Sequence, residues 1–291
     1  MLKSAARRGP NTIPIDIIPR TDGVCRCWIA GKCRVQISLD GKIIVITGAA
    51  SGVGAAIARL AASAGAAGLL LTDRDAAGLD LTAAQCGPQA VVHVADLEDP
   101  AAPAAIIGAA RDRFGRIDGL VNAAALTTRA GIEDAALADW EIVFAVNARA
   151  PFFLMQGAGR DMKARGAPGA IVNILSMNAH CGLPELAIYS ASKGALLTLT
   201  RNTSNAFLPD RVRVNGINLG WTLTAAEHRM QADVLGRGED WVAEAAAGQP
   251  LGRLLAPEEA ARLVVFLLSD ASAPMTGVAL DLDQHVLGGS R

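Results

Sequence analysis

The sequence predicts an α/β fold: one domain on a doubly wound parallel sheet over residues 39–291, preceded by an N-terminal extension, residues 1–38. Three observations lead there. Strand-like and helix-like segments alternate from residue 39 almost to the end of the chain. The 291 residues are 51% hydrophobic and 19% charged, enough apolar material for one large core. Aromatic residues make up only 4%, so that core must be Ala, Val, Ile and Leu.

The extension has its own composition. Residues 1–38 carry seven Lys/Arg against Asp16 and Asp22, a net +5, while the remainder is −6. No apolar stretch follows the basic start, so a secretory signal is not expected. Pro10, Pro14, Pro19 and Gly23 oppose the amphipathic helix of a transit peptide. Cys25, Cys27 and Cys33 lack the spacing and the fourth ligand of a structural zinc site, so no metal is expected. Residues 24–37 read as a short hairpin turning at Ala30-Gly31-Lys32, or as partly disordered chain. Cys86 and Cys181 form no pattern, and a reduced, cytoplasmic protein is expected. No apolar run nears the ~18 residues of a membrane span. A net charge of −1 gives no general footprint for nucleic acid.

Residues 42–47 (KIIVIT) are a β-branched run closed by Gly, hence a buried strand. Residues 53–64 are Ala-rich at helical spacing. Residues 68–73 (GLLLTD) are the second strand, 75–85 the second helix and 90–96 the third strand. Helix 100–114 and strand 119–123 follow. Residues 140–165 read as one long helix that Pro151 bends. Strand 170–176, helix 187–207 and strand 212–218 come next. Helix 257–268 begins with Pro and two Glu, as a helix N-terminus favours, and 278–282 is the last strand. The alternation stops between Trp221 and Pro250. Some thirty residues are too many for an idle loop, so 221–250 is the candidate lid.

Thr47-Gly48-Ala49-Ala50-Ser51-Gly52-Val53-Gly54 sits between the first strand and the first helix. Glycines allow a tight turn and close approach of backbone to a phosphate, and the helix beyond offers free N–H groups. That context points to a dinucleotide pyrophosphate and a Rossmann-type domain. Asp73 ends the second strand, 19 residues after Gly54. A carboxylate there accepts hydrogen bonds from adenosine ribose and repels a 2′-phosphate, which favours NAD over NADP. Arg74 is the counter-argument, being placed to meet a 2′-phosphate.

Tyr189 and Lys193 open a helix four residues apart, on one face. The ammonium is expected to stabilise phenolate and lower the tyrosine pKa, making Tyr189 a general acid/base. Tyr189 is the only tyrosine in the chain. Ser176 ends the fifth strand, where a parallel sheet opens its ligand crevice, and Asn147 lies on the preceding helix.

These residues together resemble the classical short-chain dehydrogenase/reductase family, over residues 39–291. Thr47-Gly48-x3-Gly52-x-Gly54 resembles its cofactor motif. Asp96-Leu97 resembles the pair beside adenine, and Asn122-Ala123-Ala124-Ala125 its Asn-Asn-Ala-Gly strand. Asn147, Ser176, Tyr189 and Lys193 match its catalytic tetrad in order and spacing. Ala123 and Ala125 depart from the strand motif, and Leu219 replaces the usual Pro before Gly220.

The resemblance implies that Ser176 hydrogen-bonds the substrate oxygen and Tyr189 carries its proton. It implies that Lys193 assists Tyr189 and holds the nicotinamide ribose, while Asn147 anchors a relay water. Gly48, Ser51, Gly52, Val53, Gly54, Asp73, Asp96, Leu97, Asn122 and Thr224, with Tyr189 and Lys193, are the expected cofactor contacts. A homotetramer or homodimer packed through helices 140–165 and 187–208 is also implied. Asn178, His180, Glu185 and Trp221 are the candidate substrate contacts, with His228, Trp241 and His285 nearby. Polar donors plus indole faces suit a sugar or polyol, oxidised or reduced at a secondary alcohol. The alternatives are an NADPH-dependent reductase of 3-oxoacyl thioesters and a non-catalytic NAD sensor.

Overall fold

The computed structural model describes residues 37–180 and 182–287. The hairpin expected over 24–37 falls almost wholly on residues outside these, as do Cys25, Cys27, Cys33 and Cys181.

Among the described residues seven strands form one parallel sheet: β1 (Ile43–Thr47), β2 (Gly68–Asp73), β3 (Ala90–Val94), β4 (Gly119–Asn122), β5 (Gly169–Ile174), β6 (Val212–Leu219) and β7 (Ala279–Leu282). Their spatial order is β3-β2-β1-β4-β5-β6-β7. The chain winds outward from β1 to β3, then crosses to β4 on the other side of β1. That reversal opens a crevice beyond the C-terminal ends of β1 and β4, where doubly wound sheets bind ligands.

Both faces of the sheet are covered, which is why the strands read as unbroken apolar runs. α1 (Gly52–Ser63), α2 (Ala76–Cys86) and α9 (Pro257–Leu268) cover one face through residues such as Ile57, Leu79 and Val264. α3 (Ala102–Phe114), α5 (Ala150–Ala164) and α6 (Ala187–Phe207) cover the other through Ile106, Leu154 and Leu196. The core is aliphatic, as the composition requires.

The long helix expected over 140–165 is interrupted. α4 (Leu137–Phe144) passes through a π-helical turn, Ala145–Arg149, into α5. Pro151 lacks an N–H and its ring crowds the carbonyl four residues back, at Asn147; the wider turn relieves that conflict. Sequence pattern alone located the proline but not the form of the bend.

Residues 221–250 fold as α7 (Ala225–Arg229), a π turn Met230–Val234 and α8 (Trp241–Ala247). They have a small core of their own, with Trp241 fully buried against Trp221, Ala232, Ala245 and Leu254.

Two devices hold the crevice open and in register. Thr47 Oγ1 accepts from Ala123 N (3.1 Å) and Ala124 N (3.2 Å), tying the end of β1 to the loop after β4. The turn from β1 to α1 needs glycine. Gly48 has φ +69°, and a Cβ on Gly54 would overlap the Gly48 carbonyl oxygen. A Gly54→Ala substitution must therefore push α1 off this turn. It should lower stability by about 2 kcal/mol, the scale of a forced overpacking, and weaken dinucleotide binding. Thermal unfolding and a fluorescence titration check this; a fully stable, fully binding variant would contradict it.

Candidate active site

A cavity of about 1140 Å³ runs along the C-terminal edge of the sheet. It exceeds the ~300–1,000 Å³ of ordinary small-molecule sites, leaving room for a dinucleotide and a substrate together. At one end lie Gly48, Ser51, Gly52, Val53 and Gly54, the open turn and the N-terminus of α1. Such a turn suits a pyrophosphate, since a side chain at Gly54 would fill it.

Asp73, Asp96 and Leu97 line the same end. The Asp73 carboxylate is fixed by its own loop: Oδ2 accepts from Ala50 N (3.3 Å) and Oδ1 from Asp75 N (3.1 Å). Arg74 is paired with Glu98 at 3.6 Å. Thr224 lines the cavity from the N-cap of α7, where its Oγ1 accepts from Glu227 N at 3.1 Å.

Asn122, an expected cofactor contact, does not line the cavity. It points into the sheet, where Nδ2 donates to Asn173 Oδ1 at 2.8 Å. Asn173 Nδ2 in turn donates to Thr200 Oγ1 at 2.8 Å, so this buried chain pins β4, β5 and α6 together.

Ser176, Tyr189 and Lys193 meet at the middle of the cavity. Ser176 lies two residues past β5, with extended backbone, and its Oγ accepts from Asn178 N at 3.1 Å. Its side chain shares the cavity wall with the Tyr189 phenol. Lys193 is 2% exposed, and its Nζ donates to the Ile174 carbonyl at 2.7 Å. That bond crosses from α6 to the end of β5.

Burial lowers the Lys193 ammonium from 10.5 to about 8. Burial also pushes the Tyr189 phenol above its ordinary value. The Ser176 hydroxyl opposes the rise, the Glu227 carboxylate adds to it, and the Arg129 guanidinium opposes it. The expected lowering by Lys193 is absent. Its ammonium is turned to a carbonyl, 5.8 Å from the phenol ring centre, and desolvation penalises both charged forms.

Asn147 is fully buried and does not reach the cavity either. Its Oδ1 accepts from Leu126 N, and its Nδ2 donates to Leu126 O and Ser192 Oγ, at 2.9–3.0 Å. The carboxamide braces the loop after β4 against α6.

Of the candidate substrate contacts, Asn178, Glu185 and Trp221 line the main cavity. His180 does not. It is drawn to Asp281 (3.2 Å) and Asn218 (3.1 Å), in a neighbouring cavity of about 330 Å³. Sequence reasoning passed over Arg129 and Glu227, which line the main cavity and act on Tyr189. The signal was present: Arg129 is a cation in the loop that leaves the C-terminal end of β4. Among the described residues no cluster of His, Cys, Asp and Glu is suited to a metal, and no helix is long and apolar enough to cross a membrane.

A family model described as enoyl-(acyl carrier protein) reductase matches residues 48–284. D-threitol dehydrogenase of Mycolicibacterium smegmatis is 36% identical over 248 residues, 84% of this chain and 92% of that protein. The chain belongs to the classical short-chain dehydrogenase/reductase family. Gluconate 5-dehydrogenase of Gluconobacter oxydans is 34% identical, over 84% of this chain and 94% of its own. The crystal structure of L-sorbose reductase from Gluconobacter frateurii, complexed with NADPH and L-sorbose, superposes with a TM-score of 0.82. It is 31% identical and covers 88% of this chain and all of its own.

The buried lysine makes a pH prediction. With a folded pKa near 8 and an unfolded one near 10.5, Lys193 costs stability wherever it is protonated when folded, below pH 8. The cost fades as pH rises toward 10.5, because the unfolded chain still binds that proton. Lys193→Met should therefore be more stable relative to wild type at pH 7 than at pH 9.5. Paired thermal melts at the two values check this; a pH-independent difference would contradict it.

Proposed function

We propose that the protein is an NAD(H)-dependent dehydrogenase that interconverts a secondary alcohol and a ketone on a sugar or polyol. One observation carries the reading: Ser176, Tyr189 and Lys193 converge midway along a cavity whose far end is the glycine turn. The names of the threitol, gluconate and sorbose enzymes support the substrate class.

In this reading Ser176 Oγ donates to the substrate oxygen and fixes it beside the phenol. Tyr189 takes the hydroxyl proton in oxidation and returns it in reduction. Lys193 holds the nicotinamide ribose. The Asn147 carbonyl, offered no N–H by Pro151, anchors the water through which the proton leaves. Bound nicotinamide supplies the hydride acceptor or donor, and in its oxidised form a positive charge. Residues 221–250 act as the lid, with Trp221 and Glu227 facing the substrate.

Asp73 favours NAD. Its fixed carboxylate repels a 2′-phosphate, and Glu98 draws away Arg74, the nearest cation to receive one. Exposed Phe152 and Phe153 on α5 and Trp140 on α4 support a homodimer or homotetramer packed through these helices. The family model's description favours a second reading, a reductase of acyl thioesters, for which NADPH would be the reductant.

The test is NADH formation from NAD+ with a panel of polyols, sugars and simple secondary alcohols, beside 3-oxoacyl thioesters with NADPH. Polyol oxidation should be rapid, and Tyr189→Phe should lower kcat about 10²–10⁴-fold, the share of a general acid/base. Asp73→Ser should raise the NADP+ to NAD+ ratio of kcat/KM by about tenfold or more. Turnover with NADP(H) alone would overturn the Asp73 argument, and turnover with thioesters alone would favour the second reading.

A further inference from the structure

We propose that Arg129 anchors a carboxylate, so that the substrate is a polyhydroxy acid, an aldonate, in preference to a neutral sugar or polyol. The inference rests on the dehydrogenase reading above and narrows its substrate class.

Arg129 lies in the loop that leaves β4, and that loop is stitched to the helix bearing Tyr189. Ala130 N donates to Glu185 O at 2.9 Å, and Ile188 N donates to Ala130 O at 3.4 Å. The backbone that carries Arg129 is therefore held in a fixed relation to the helix of Tyr189. It lines the main cavity, and its side chain is only 21% exposed.

It is also unsatisfied. A guanidinium has five N–H donors. Among the described residues Arg129 makes no side-chain hydrogen bond, and its Nε is buried without a partner. Glu185 is the nearest carboxylate, 3.9 Å from Nη1, too long for a hydrogen bond. The Glu185 side chain is 55% exposed, so water screens the pair.

The charges of the lid side of the cavity are engaged or solvated. Glu227 Oε1 accepts from Trp221 Nε1 (2.9 Å) and Gln231 Nε2 (2.8 Å). Arg237 is bound by Gln231 (3.0 Å) and Glu244 (3.1 Å). Arg229 is exposed and solvated. Arg129 alone among these is drawn out of water without a hydrogen-bond partner, its one ion pair being the long contact to Glu185.

A substrate that closes over it makes the desolvation more complete. Neutral hydroxyls accept single hydrogen bonds but leave the charge uncompensated. A carboxylate accepts two parallel N–H bonds from the planar fork and neutralises it. The main-chain bond from Ile188 N to Ala130 O joins the neighbours of Arg129 and Tyr189, and both side chains line the cavity, so the cation sits on the same wall as the carbinol to be oxidised. The carboxylate and the reacting carbon therefore belong to one short molecule.

The experiment compares an aldonate with the alditol of the same carbon skeleton, both with NAD+, in wild type, Arg129→Gln and Arg129→Lys. The readout is the aldonate to alditol ratio of kcat/KM. Any change in the Tyr189 pKa affects both substrates alike and cancels in that ratio. Wild type should prefer the aldonate. Arg129→Gln should reduce the ratio about 10–100-fold, the worth of a charge-assisted pair, mainly through the aldonate KM. Arg129→Lys should restore part of it. An unchanged ratio in Arg129→Gln, or a wild type that prefers the alditol, overturns the anchor while the polyol reading stands. Failure to oxidise either compound, or any other alcohol, overturns both readings together.

Discussion

The bond from Lys193 Nζ to the Ile174 carbonyl is the constraint on which the site depends. It places an ammonium in a dry interior, where a single partner must hold it. It also fixes α6 against the C-terminal end of β5. Tyr189, one helical turn earlier, and Ser176, two residues past Ile174, are thereby brought to the same wall. Two further polar contacts keep α6 from sliding. Asn173 bonds Thr200 on the sheet side, and Asn147 bonds Ser192 on the loop side.

The same burial sets the electrostatics. The phenol is pushed up and the ammonium down to about 8, so near neutral pH the free protein holds a neutral phenol beside a lysine that is still protonated but easily discharged. A site in that state is poised for a cationic ring. Positive charge arriving beside Tyr189 favours phenolate when oxidation requires a base. Arg129 supplies a first instalment of that charge, and Glu227 works against it.

Much of this was legible in the sequence. The β-branched runs gave all seven strands, because strands buried on both faces carry apolar residues without alternation. The glycine turn, Asp73, Ser176, Tyr189 and Lys193 all face the cavity as their spacing implied. What was not legible depends on where side chains point. Asn122 and Asn147 stand at motif positions, yet both face inward and act as braces. His180 sits beside Ser176 in the chain, but Asp281, about a hundred residues away, claims it. The direction of the tyrosine shift was misread because spacing reports proximity and not desolvation. Ala123 in place of Asn leaves the turn tied, since Thr47 Oγ1 accepts from Ala123 N and Ala124 N, main-chain donors that any residue but proline provides.

The central claim is that Tyr189 is a buried acid/base whose charge state the bound cofactor controls. The chain contains one tyrosine, so tyrosinate absorbance reports this residue alone. A stopped-flow pH jump reads it before alkaline unfolding intervenes. The account predicts a midpoint above the ordinary tyrosine value of ~10 in the free protein, and a clear downward shift on saturation with NAD+. A free-protein midpoint at or below 10, unmoved by NAD+, would contradict it.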